Sequence, residues 1–68
     1  MIATGTKVRL TKQLRDTNGV RVAKATTGVV SSSFLAPNEQ RHYCVRRGAV
    51  LVLARESELE VINGNSVL

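Results

Sequence analysis

His42 and Cys44 stand two residues apart, and on an extended strand that spacing turns both side chains to one face. A thiol with an imidazole in reach is the minimal arrangement for nucleophilic catalysis, provided the thiol pKa is lowered. The plainer reading is a small thiol that packs as a hydrophobe beside a histidine sharing its face. Glu56, Glu58 and Glu60 are the clustered carboxylates from which acid/base chemistry could be drawn. Their spacing equally fits the outer side of a turn and a short edge strand, where solvation and protection against edge pairing account for them. One cysteine and one histidine fall short of the ligand set of a zinc site, and a lone cysteine makes no intramolecular disulfide. Gly5, Gly19, Gly28, Gly48 and Gly64 are scattered one per turn, so there is no glycine-rich phosphate loop. The expectation is a protein without catalytic residues, metal or cofactor.

The basic residues point elsewhere. Ten Lys+Arg against five Asp+Glu give a formal charge of +5 over 68 residues. The charge is polarised: nine of the ten cations fall in residues 1–50, whereas Arg55 stands against Glu56, Glu58 and Glu60 in the remainder. Lys7 and Arg9 share the outward face of a first strand, Lys12 and Arg15 lie on a long loop, and Arg21 and Lys24 flank the next extended piece. Brought together, these six would displace counterions from a polyanion or attract an acidic protein; scattered, they would be a solvated face. Nucleic acid is the leading expected partner. Phe34 and Tyr43 are the only aromatics, a thin supply for base stacking, so phosphate contact that is indifferent to base sequence and sensitive to salt is expected.

The elements that must position these groups are read from alternation and turn residues. Val8 and Leu10 alternate with Lys7, Arg9 and Thr11, the period of a half-buried strand. Asp16-Thr17-Asn18-Gly19 supplies a tight turn in a polar hairpin-like loop, and Val20 and Val22 resume an extended run. Val29-Val30 opens a strand that runs through Ser33, Pro37-Asn38 marks a hairpin tip, and Arg41 to Arg47 is extended again. A turn at Gly48 sends Val50 to Ala54 back antiparallel, a helical turn is allowed at Arg55–Glu58, and Leu59 to Ile62 forms the last strand before a tail over residues 63–68. Five short strands in a single domain over residues 1–62 predict an all-β chain whose cheapest way to remove sheet edges is a closed or nearly closed barrel.

Within that class the chain resembles the SH3-like barrels, and among them the small KOW-type domains. Gly5-Thr6-Lys7-Val8-Arg9-Leu10 opens in their manner, Thr27-Gly28-Val29-Val30 stands where they carry Gly-x-Val, and Tyr43-Cys44-Val45-Arg46 where they alternate Tyr/Val with charge. The likeness spans about residues 5–62 and implies shape rather than chemistry. A narrower one joins Leu59-Glu60-Val61-Ile62-Asn63 to the closing strand of the type II plasmid dihydrofolate reductases, SH3-like chains that assemble as tetramers around a pore. Their catalytic Val-Gln-Ile-Tyr is replaced by Leu51-Val52-Leu53-Ala54, so the resemblance implies assembly and withdraws the activity.

Val50 to Ala54 is apolar at every position, the signature of burial on both faces. With Leu51 and Leu53 inside, Val50, Val52 and Ala54 would need cover from a second copy of the chain, bordered by His42, Cys44 and Arg46, with Tyr43 and Val45 in the core. The expectation is thus a homo-oligomeric binding module. Its rivals are an oligomeric enzyme whose shared pore is lined by His42, Cys44 or Arg46, and a docking subunit for one acidic protein. The longest apolar run is far below the roughly 20 residues of a membrane helix, and no signal-peptide pattern opens the chain, so a cytoplasmic protein without a membrane partner is expected.

Overall fold

The computed structural model describes residues 1–62 and is all-β. The expected tail, 63–68, lies outside the described residues. Seven strands run in order: β1 (Lys7–Leu10), β2 (Leu14–Arg15), β3 (Arg21–Val22), β4 (Thr27–Leu35), β5 (Arg41–Arg47), β6 (Val50–Arg55) and β7 (Leu59–Val61), with a 3-10 turn over Glu56–Glu58 before the last. Five form one antiparallel sheet in the order β6-β5-β4-β1-β7, and β2 and β3 pair as a separate ribbon. An isolated bridge between Asp16 and Val52, with the Thr17 amide donating to the Leu51 carbonyl (3.0 Å), lays the ribbon along the free edge of β6. No pairing among the described residues joins β7 back to β6 or to the ribbon, so the ladder is open where a closed barrel would need one more seam. No helix among these residues is long and apolar enough to cross a membrane.

The turns follow from residue type. Asp16 Oδ1 accepts from the amides of Asn18 and Val20, both at 2.8 Å, and Gly19 takes the positive φ of 83° that the turn between β2 and β3 requires. Gly48, at φ 59°, opens the two-residue turn that pairs Arg47 with Val50.

Side chains sort onto two faces. The inner one holds Val8, Leu10, Val30, Tyr43, Val45, Ala54 and Leu59 with Ile2, and Leu14 and Val22 of the ribbon pack against it. Tyr43 is fully buried and Val45 is buried, at 4% exposure, as expected. The Tyr43 hydroxyl accepts from the Ile2 amide (3.0 Å) and donates to Glu56 Oε1 (3.2 Å), so the one polar atom of the largest core side chain is satisfied twice.

On β6 the faces are the reverse of the expectation. Val52 (3%) and Ala54 (1%) are buried in the chain's own core, whereas Leu53 is 43% exposed and Leu51 half-buried on the outside. The register explains it: Tyr43 and Val45 point inward, and their cross-strand partners are Ala54 and Val52, which must share their face. An all-apolar run has no polar phase of its own, so its neighbour's alternation sets which half goes inside. Val52 and Ala54 therefore cannot form the outer, inter-subunit surface assigned to them, whereas Val50, on the same inner side at the strand's end, is exposed.

Candidate functional site

The outer face is organised in rows set by strand register. Glu60, Arg9 and Thr27 make one row across β7, β1 and β4. Lys7, Val29, Arg46 and Leu51 make the next, across β1, β4, β5 and β6. Ser32, Cys44 and Leu53 follow, and Phe34, His42 and Arg55 close the series. Rows on the same strand are two residues, about 7 Å, apart, and neighbouring strands about 4.8 Å apart.

At one end of the sheet lies a cleft of about 320 Å³, lined by Lys7, Thr27, Val29 and Arg46 of the outer face together with Gly28, Arg47 and Gly48 at its edge. Gly28 shapes its floor. A Cβ there would stand 2.8 Å from both the Arg46 carbonyl oxygen and Val45 Cγ1, so only glycine lets β4 curl this closely against β5. Arg47 is held over the cleft by its Nη1, which donates to the carbonyl (3.2 Å) and hydroxyl (3.0 Å) oxygens of Thr27, leaving its remaining N–H groups available. Among the described residues three cations line this cleft and no carboxylate does. Among the described residues only Arg9 and Arg55 of all the lysines and arginines approach a carboxylate, Arg9 with Glu60 at 4.0 Å and Arg55 with Glu58 at 3.7 Å.

The six cations singled out by sequence divide into two groups. Lys7 and Arg9 lie on the outer face of β1, with Lys7 in the cleft and Arg9 opposite Glu60. Arg15 and Arg21 face each other across the ribbon, both exposed, with Arg15 Nη1 donating to the Gly19 carbonyl (2.8 Å). Lys12 and Lys24 are exposed in the bend after β1 and the turn before β4. The ribbon borders β6, and neither of its arginines lines the cleft. Arg47 is absent from the sequence-derived set, and Arg46 enters it only as an interface residue. The signal for both was the adjacent pair Arg46-Arg47 immediately before the glycine of a tight turn, which places two cations at one sheet end.

The other candidate groups are accounted for separately. His42 and Cys44 share the outer face, yet no hydrogen bond joins them among the described residues. His42 Nδ1–H donates to the Gln40 carbonyl (3.2 Å), and its ring stacks on Phe34 with centroids 5.5 Å apart and planes 13° from parallel. Glu58 accepts from the Arg55 amide (2.9 Å) to cap the 3-10 turn, Glu56 accepts from Tyr43, and Glu60 faces Arg9. These carboxylates serve three different partners rather than one shared site. Among the described residues no cluster of His, Cys, Asp or Glu is placed to hold a metal ion.

Comparison with protein-family models, curated proteins and solved structures finds no match to this chain.

Proposed function

We propose that the chain is a small SH3-like barrel that works as a non-enzymatic binding module, engaging the phosphates of nucleic acid through Lys7, Arg46 and Arg47. The barrel reading is supported by the connectivity: a long first loop carrying a ribbon, a two-residue turn between β5 and β6, a 3-10 turn, and a last strand that returns to β1. The observation that carries the function is the cleft lined, among the described residues, by three cations and no carboxylate. A site that neutralises phosphates releases counterions, so affinity should fall steeply with salt and vary little with base sequence. Titration of a labelled oligonucleotide at several salt concentrations tests this. With three phosphate contacts on a single strand, log K should fall with log salt at a slope of about −2; no binding at low salt would refute the reading.

A second reading is a homo-oligomer that covers the outer face. It is favoured by Leu53, exposed beside half-buried Leu51 and Cys44, which takes over the role first assigned to Val52 and Ala54. Because His42, Cys44 and Arg46 lie on that same face, self-association and nucleic-acid binding would compete. A sedimentation mass that rises with concentration and falls on adding oligonucleotide would support it.

A further inference from the structure

β4 carries a bulge. Val30 pairs with Val45 and Ser32 with Cys44, so Ser31 is an extra residue, its hydroxyl donating to the Cys44 carbonyl (3.2 Å). Every side chain after an inserted residue changes face. Without Ser31 the alternation that buries Val30 would carry Phe34 inward; with it, Phe34 stands on the outer face at 44% exposure, stacked on His42. β1 leaves β4 at Val29 and Val30, so among the described residues no strand flanks Phe34 on the side away from His42. An aromatic ring is thereby turned out of a core that has only one other aromatic, Tyr43, and left with one side unneighboured by a strand. It lies two rows, about 14 Å, along the face from Arg46, a span that a few nucleotides cover. Arg55 ends the same row beyond His42.

We infer that the Phe34–His42 pair is a base-stacking platform and that the nucleic acid is single-stranded. This rests on the reading above and adds the class of strand. In a duplex the bases stack on one another and their faces are closed to a side chain, whereas a single strand can lay phosphates in the cleft and a base against Phe34. The outer face supplies cations at Lys7 and Arg46 for the strand's charge, and Glu60, in the adjoining row, faces Arg9.

The test uses three probes at one low salt concentration: a twelve-nucleotide oligo(dT), a twelve-base-pair duplex, and inorganic polyphosphate, which has charge without bases. Phe34→Ala should weaken oligo(dT) binding about tenfold while leaving its salt slope and polyphosphate binding unchanged, because the slope counts phosphates and not rings. Phe34→Trp should restore binding and introduce the chain's only indole, whose fluorescence should be quenched when oligo(dT) is added. Circular dichroism of both variants checks the fold. Undiminished oligo(dT) binding by Phe34→Ala, an equal loss for polyphosphate, or an indole that oligo(dT) leaves unquenched would overturn the platform and leave the cleft reading standing. Failure of all three probes to bind the unsubstituted chain would overturn both.

Discussion

Tyr43 shows how much one residue can hold together. Its ring fills the core while its hydroxyl, between the Ile2 amide and Glu56, ties the N-terminal segment and the 3-10 turn to β5. Tyr43→Phe keeps the packing but strips the buried Ile2 amide of its acceptor, and should cost about 1–3 kcal/mol in urea denaturation. A loss well below that range would mean that water replaces the hydroxyl. Gly28→Ala fails for a different reason: the added methyl meets a backbone carbonyl that cannot swing aside, so β4 and β5 must separate, at about 1–3 kcal/mol, and the cleft floor shifts with them. Its melting temperature should fall together with oligonucleotide affinity. Tyr43 and Val45 were legible as core from alternation alone. The hydroxyl's two partners were not, because Ile2 and Glu56 come to it from distant points in the chain.

At the scale of elements, alternation placed β1, the extended runs between turn signals placed β5 and β7, and turn residues placed the Asn18-Gly19, Pro37-Asn38 and Gly48 reversals, because those signals are local. Two features lay beyond them. The face of β6 is set by Tyr43 and Val45 across the strand, and an unbroken Val50–Ala54 run holds no information about phase. The bulge at Ser31 sits in a serine triplet whose three members look alike, so which one is extra depends on pairing with β5. The corrected face makes a sharp contrast between neighbours. Val52→Lys would bury an unpaired ammonium at a cost of several kcal/mol, a large share of a stability of roughly 5–15 kcal/mol, and should leave the chain unfolded by circular dichroism. Leu53→Lys, one residue on, points into solvent and should melt within a few degrees of the parent. The opposite pattern would restore the original assignment. Of the two-residue strands, β2 was legible only as part of a polar hairpin-like loop, whereas β3 lies in the extended run expected from Val20. There Arg15 and Arg21 oppose each other, and like charges directly across a pair are unfavourable. Arg21→Glu should accordingly stabilise the ribbon by about 0.2–1 kcal/mol in the same denaturation assay.

At the scale of the molecule, net charge alone suggested a polyanion, and the fold gathers part of that charge at one cleft. The ribbon cations lie outside the cleft lining, Arg9 and Arg55 face carboxylates, and Lys7, Arg46 and Arg47 converge on one cleft. Chain polarity was visible in composition; convergence was not, because it depends on β4 lying between β1 and β5 and on Gly28 drawing the strands close. The most direct test compares salt slopes of oligonucleotide binding for two variants of equal charge change. Lys7→Ala, Arg46→Ala and Arg47→Ala combined should flatten the slope by about 2, removing nearly all of it, whereas Lys12→Ala, Arg21→Ala and Lys24→Ala combined should leave it close to that of the parent. Equal flattening by the two triple variants would contradict the account, since it would mean that the charge acts as a diffuse whole and that the cleft has no special role.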